Sequence, residues 1–160
     1  MNSEIAFQLI NKLHFFAEFS EEQKRHLSSL DNQVYKHPNH EKIIKQGDIG
    51  SHFYVLLQGS VEVHRGDGFS TKITNLKPGD VFGEIGYLSK RARTTSIIAS
   101  GNDVVTLKFG RDLGYALKPE IHTKLNDVLI SILVNRLEGM DDKLLNCSSG
   151  ALCPIRRSLR

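Results

Sequence analysis

No apolar run in this chain is long enough to cross a bilayer. Its first residues, MNSEIAFQLINKLHFF, lack the cationic head and unbroken apolar stretch of a signal peptide. Neither terminus therefore reads as a targeting segment, and no membrane contact is expected. Cysteine is scarce: Cys147 and Cys153 both fall in the tail, so they cannot staple a core. A reducing, cytoplasmic home is the simplest reading, and a disulfide or redox role for the pair stands as the alternative. Excess charge is also missing. The formal net charge of +3 is matched by Arg156, Arg157 and Arg160 at the very end. The body is about neutral and offers no basic face for direct nucleic-acid binding. The tail itself, residues 147–160, reads as a disordered terminus.

Catalytic signatures are lacking too. There is no nucleophile elbow, P-loop or dinucleotide-binding glycine set. His37 and His40 with Glu41, in HPNHE, begin a cluster of the kind found in metal enzymes built on a double-stranded β-helix. No histidine follows the turn LKPGDVFGE within reach, so the pair reads as a solvated loop. Neither a metal, a cofactor nor catalysis is expected.

What is present is an ordinary single-domain length with 39% hydrophobic and 24% charged residues, enough for a buried core. One domain is expected over residues 1–146. Residues 1–30 are helical in texture: Ile5, Leu9 and Leu13 recur at a spacing of four. Ser20 followed by Gln23 resembles a capping box before a second short helix. Phe15, Phe16 and Phe19 are expected core contacts. Residues 31–110 carry short β runs at 42–45, 53–58, 61–65, 72–76, 95–100 and 104–109. Turn formers divide them, among them Gln46-Gly47-Asp48, Gln58-Gly59-Ser60, Gly66-Asp67-Gly68 and Lys77-Pro78-Gly79-Asp80. Regular short strands point to a sandwich or barrel rather than βαβ units. Residues 111–146 turn helical again, with Pro119-Glu120 as a helix start and apolar residues at three- and four-residue intervals from Ile121 to Leu144. The centre of that helix, VLISILV, is apolar nearly all round. Either the monomer buries it whole, or a second copy covers one side as a homodimer.

One stretch, FGEIGYLSKRARTTS at residues 82–96, carries chemistry. Glu84 can accept hydrogen bonds from hydroxyls, and Arg93 offers a planar, permanently charged fork suited to a phosphate diester. Between them the Ile85, Gly86 and Tyr87 amides would open a short helix, where anions settle readily. Gly86, without a side chain, lets backbone approach a ligand closely. An isolated Glu–Arg pair is usually a surface ion pair of little consequence. The order and spacing of the whole set point instead to a sugar hydroxyl joined to an anionic phosphate.

The stretch resembles the phosphate-binding cassette of cyclic-nucleotide-binding domains, the family of protein kinase A regulatory subunits, cyclic-nucleotide-gated channels and the bacterial catabolite activator. The family pattern F-G-E-[LI]-A-L, a variable turn, then R-[TSA]-A-[TS], is matched without a gap by Phe82-Gly83-Glu84-Ile85-Gly86-Tyr87 and Arg93-Thr94-Thr95-Ser96. Gly86 and Thr95 replace the usual alanines, and Ala92 stands where proline is common. Gly47, Gly59, Gly79 and Gly83 match the family's corners, and HFFAEFSEEQKRHL its start, so the likeness covers residues 10 to 140 or so. It implies an α+β, mainly β fold: an eight-stranded jelly-roll (double-stranded β-helix) barrel with N-terminal helices, a short cassette helix and a long C-terminal helix.

The implied ligand is a 3′,5′-cyclic nucleotide, cyclic AMP first and cyclic GMP as the alternative, bound without turnover. The resemblance implies that Glu84 and the Gly83 amide hold the ribose 2′-hydroxyl. It places Arg93 with the Ile85, Gly86 and Thr95 amides on the cyclic phosphate, and Thr94 near the phosphate or the base. An ungapped comparison puts Arg136, Met140 and Asp141 over the base, without the hydroxyl residues usual there. Val61, Ile73, Leu76 and Phe82 are candidates for the apolar base pocket. Signalling would pass through movement of the C-terminal helix, hinged at residues 111–117, to an unidentified downstream protein. The segment VNRLEGMDDKL resembles the dimer helix of catabolite-activator-type regulators, in which a helix-turn-helix follows. Too few residues follow Leu145 for one. A sensor without its own output domain, a piece of a longer regulator, and a ligand-free interaction module are the alternatives; retention of Glu84 and Arg93 argues against the last.

Overall fold

The computed structural model describes residues 3–30, 33–66, 71–110 and 117–148, the last with side chains to residue 141. The chain divides into two compact units, Met1–His122 and Thr123–Arg160.

The first unit opens with helix α1, Ser3–Lys12, which buries Ala6, Phe7 and Ile10. The stripe expected at Ile5, Leu9 and Leu13 is thus rotated. Phe7, the bulkiest apolar side chain of the helix, takes the core-facing position and carries the Arg25 guanidinium 4.2 Å over its ring, while Ile5 is exposed. A 3-10 turn, His14–Phe16, follows. Phe16 meets Phe15 and Phe19 edge-on at 4.7 and 5.7 Å, and all three are buried, as expected. Helix α2, Glu21–Ser28, starts on the anticipated capping box. Gln23 N donates to Ser20 Oγ at 3.2 Å, and Ser20 N to Gln23 Oε1 at 3.0 Å.

Six strands follow in one antiparallel sheet: β1 Val34–His37, β2 Lys42–Ile44, β3 His52–Arg65, β4 Thr71–Leu76, β5 Val81–Phe82 and β6 Ser96–Gly110. Their order is β1-β6-β3-β4, with β2 also on β6 and β5 also on β3. The fold is mainly β with several helices. The expected eight-stranded closed barrel is not confirmed: among the described residues the sheet has six strands and does not close. The reason lies in two glycines. Gly59 and Gly101, read as strand ends, are bends within continuous strands. Thus β3 spans the expected runs 53–58 and 61–65, and β6 spans 104–109 and all but the first residue of 95–100. Pairing passes from Gln58↔Val105 to Ser60↔Ser100, leaving Gly59 opposite four residues of β6. A Cβ at Gly59 would stand 2.9 Å from Asp103 O, so only glycine allows that corner.

Buried side chains of Ile44, Leu56, Val61, Phe82, Ile97, Ala99 and Val104 form one cluster, flanked by the partly buried Ile43, Tyr54, Val63 and Leu76. His37 also departs from expectation. It ends β1, is buried, and puts Nε2 2.8 Å from Thr106 Oγ1, with Nδ1 3.2 Å from the Glu41 carboxylate. Sheet pairing between β1 and β6 draws it inward, and only His40, at φ 66, stays in the exposed turn.

Helix α4, Pro119–Ser148, begins at the expected proline and supplies the described part of the second unit. Ile130, Val134, Leu137 and Met140 are exposed on it. No helix among the described residues is long and apolar enough to cross a membrane. The expected hinge lies outside the described residues apart from Leu117, and the tail lies outside them from residue 149.

Candidate ligand site

The cassette is aimed by the turn that precedes it. Lys77 N donates to Asp80 Oδ2 at 2.8 Å, closing the Pro78-Gly79 corner. Gly79 N then donates to Leu56 O at 2.8 Å and Leu56 N to Asp80 O at 2.9 Å, which lays the turn on β3. β5 follows in register, Tyr54 opposite Phe82, their rings stacked at 5.2 Å. Gly83, at φ 80, then swings the chain into helix α3, Glu84–Ser89. The first intrahelical bond runs from Tyr87 N to Gly83 O at 3.1 Å, so the Ile85 and Gly86 amides precede it. Tyr87 anchors α3 by its ring, 5.0 Å from Phe53. Lys90, left-handed at φ 59, ends the helix with its N–H on Gly86 O at 3.1 Å.

Arg93 is then held by main chain on every side. Gly47 N donates to Arg93 O at 2.9 Å, and Arg93 N to Asp48 O at 2.8 Å. Arg93 is 7% exposed; its guanidinium Nη1 donates to Gly83 O, and Nη2 to His52 O at 2.6 Å. Glycines make the room, since a Cβ at Gly83 or Gly86 would stand 3.0 or 2.9 Å from Nη1. Glu84, 3% exposed, is the other buried charge of the cassette. Burial pushes the Arg93 pKa below its ordinary value, while Tyr54 and Glu84 pull it back up. The group stays a cation, because arginine does not deprotonate in proteins. Burial likewise raises the Tyr54 phenol, with Arg93 opposing.

Two of the five guanidinium N–H groups go to carbonyls, leaving donors for the oxygens of an anion. A buried carboxylate beside them accepts from hydroxyls and disfavours further negative charge. Such a set suits a neutral hydroxyl and a singly charged phosphate held side by side.

Gly83, Glu84, Ile85, Gly86 and Arg93 thus come together. Thr94 is exposed and Thr95 half-buried at the mouth of β6, where Ser96 Oγ accepts from Gln46 N at 2.9 Å. Val61 and Phe82 lie inside the apolar cluster, with Leu76 packed against it. Ile73 does not join them. It is 54% exposed, because Val61 pairs with Leu76 and Val63 with Thr74, which leaves residue 73 on the other face of β4. Arg136, Met140 and Asp141 occupy exposed positions on α4, in the second unit. Tyr54 and the main chain of residues 48–52 were missed by sequence reasoning. The only available signal for Tyr54 was an aromatic at alternate spacing from Leu56 on β3.

Residues 35–115, just over half the chain, match the family described as "Cyclic nucleotide-binding domain". This chain is a member of that family. Among curated relatives, it is 38% identical over 77 residues to a cAMP-dependent protein kinase regulatory subunit of Aspergillus niger, covering 48% of this chain and 18% of that protein. It is 31% identical over 126 residues to the cGMP-dependent protein kinase egl-4 of Caenorhabditis briggsae, covering 75% of this chain and 17% of the kinase. The chain therefore spans less than a fifth of either. Among solved structures, a cyclic nucleotide-binding domain from Methylobacillus flagellatus superposes with a TM-score of 0.71 at 25% identity, covering 90% of this chain and 83% of that one. The catabolite activator protein of Thermus thermophilus does so at 0.69 and 28% identity, covering 84% and 62%.

Proposed function

We propose that this chain is a regulatory sensor module that binds a 3′,5′-cyclic nucleotide between Glu84 and Arg93 and does not turn it over. The observation that carries the proposal is the co-burial of an acidic and a basic residue, Glu84 and Arg93 at 3% and 7% exposed, around the start of a short helix. Arg93, with the Ile85, Gly86 and Thr95 amides, takes the cyclic phosphate. Glu84 and the Gly83 amide take the ribose 2′-hydroxyl, which separates ribose from deoxyribose. Thr94 stands near the phosphate or the base. Val61, Leu76 and Phe82 supply the apolar base wall. Cyclic AMP is the first choice of ligand and cyclic GMP the second; the relatives are named for both, so they support the phosphoribose and leave the base open. Movement of α4, read by a downstream protein, is the proposed output.

Calorimetric titration with each nucleotide tests the ligand. Saturable heat with one or both is expected, and silence from both at millimolar concentration refutes the assignment. The exposed α4 residues Ile130, Val134 and Leu137, spaced by four and three, favour a second copy as a partner. Light scattering that shows a monomer, with and without nucleotide, disposes of that dimer.

A further inference from the structure

The turn between β2 and β3 grips Arg93 from both ends. Its main chain takes the Arg93 amide and carbonyl through Asp48 and Gly47, and Ile49 bridges Ala92 beside them. At the far end His52 O accepts from Nη2. Between these grips lies Gly50, and the guanidinium fills the space in which a side chain would begin. A Cβ there would stand 2.5 Å from Nη2, 2.7 Å from Nε and 2.9 Å from Cζ. Contacts so short force one partner to move. The mobile partner is the guanidinium, the far end of a flexible side chain, whereas the turn is tied down by main-chain bonds.

The backbone itself makes no demand for glycine at this position, because Gly50 lies outside the left-handed region. Gly47, three residues earlier, is the reverse case: its φ is 88 and nothing lies within 4 Å of its would-be Cβ. Gly101, in the distant corner of β6, is another such residue, at φ 100 with open space around it. One glycine of the turn therefore serves the backbone, and the other serves the arginine.

We propose that Gly50 is a positioning residue for ligand binding: its missing side chain seats the Arg93 guanidinium between His52 O and Gly83 O, with its remaining N–H groups turned to an anionic phosphate. The proposal rests on the reading of Arg93 as the phosphate group's partner. An added methyl leaves the charge in place but pushes the fork aside, starting with Nη2, the atom nearest the new Cβ. Reach and direction are lost while net charge is kept. Bidentate geometry is what an arginine fork adds beyond charge, so alignment is the quantity at risk.

The test compares Gly50→Ala with Gly101→Ala, and repeats Gly50→Ala in an Arg93→Lys background. Three readouts are taken: thermal melting, calorimetric affinity for cyclic AMP and cyclic GMP, and the arginine Nε–H signals in a ¹H–¹⁵N spectrum. The Arg93 signal is assigned by its disappearance in Arg93→Lys. Gly50→Ala is expected to melt with the parent, to shift or broaden the Arg93 Nε–H signal, and to weaken binding about 10- to 100-fold, the scale of one charge-assisted hydrogen bond. Gly101→Ala is expected to melt lower through backbone strain while keeping affinity and the signal. In the Arg93→Lys background, Gly50→Ala should cost little more, because an amine presents no planar fork to displace. An unmoved Nε–H signal, or the same added loss in both backgrounds, overturns the proposal. So does a loss of affinity that merely follows a lower melting temperature. The Nε–H readout needs no nucleotide. If the parent protein binds neither, the functional reading fails and the spectrum alone decides whether Gly50 seats Arg93.

Discussion

Replacing Arg93 by alanine separates a ligand-binding role from a structural one, because the two predict different orders of loss. In the free protein the guanidinium makes two charge-assisted bonds, to Gly83 O and His52 O. Bonds of that kind contribute about 1.5–3 kcal/mol each. Against this stands the cost of keeping a cation at 7% exposure, which is several kcal/mol per ion on a rough scale. The lowered pKa, caused first by burial, shows that this cost is felt at the site. The two terms offset each other, and Gly83 O keeps the Tyr87 N–H as a donor after the arginine is gone. Truncation should therefore cost the free fold no more than about 2 kcal/mol. With a cyclic phosphate bound, the same truncation strips a buried anion of its counter-charge. That costs about 2–5 kcal/mol, or roughly 30- to 5,000-fold in affinity. Denaturant unfolding of the free protein and calorimetric titration measure the two quantities separately. Affinity should fall by more than stability, with Arg93→Lys in between because it keeps charge without the fork. An Arg93→Ala protein that binds within about threefold of the parent, less than one neutral hydrogen bond, would refute the phosphate role.

Glu84→Gln keeps the volume and removes the charge, and should weaken cyclic nucleotide binding about 10-fold or more. The 2′-deoxy analogue should lose much less, and equal losses would show that Glu84 does not read the hydroxyl. Val61→Ala, at a fully buried position, should cost about 2 kcal/mol in unfolding free energy. Ile73→Ala, on the exposed face, should stay within about 0.5 kcal/mol and leave affinity unchanged; reversal of that order would restore Ile73 to the base wall. Tyr54 gives a pH prediction. Its pKa is raised by burial, so the folded state holds the phenolic proton more tightly than the unfolded state. Stability linked to it is full below the unfolded value of about 10 and falls as pH rises through the folded one. Melting curves taken at rising alkaline pH should show this limb in the parent and lose it in Tyr54→Phe.

The parts of the fold that were legible beforehand are those whose cause is local. A serine three residues before a glutamine caps α2 wherever the helix ends up, and Lys77-Pro78-Gly79-Asp80 closes its turn with its own aspartate. The strand count was not legible in this way. A glycine that ends a strand and a glycine that bends one look alike in sequence; at Gly59 the difference is made by Asp103 O across the sheet. β1 and β5 were missed for related reasons. VYKH shows no clean alternation, and β5 is two residues long, held only by its pairing with β3. His37 became a buried residue because β1 pairs with β6, a contact that the motif HPNHE does not encode.

At the site, the contiguous half was readable and the distant half was not. Glu84 and Arg93 lie in one stretch, so the spacing that suits a phosphoribose is written along the chain. Ile73 and Leu76 are an odd number of residues apart in β4 and so face opposite sides of that strand, a separation the alternation of side chains already implies. Gly47 and Gly50 mark a harder limit. They are the same residue type, three positions apart in one turn. One is demanded by its own φ and the other by an arginine from the far side of the cassette. Composition and turn chemistry explain the first completely and are silent on the second, because its cause is a volume already filled. Where a site is built by leaving room, its sequence record is a missing side chain, and only the neighbour that takes the room shows what the absence is for.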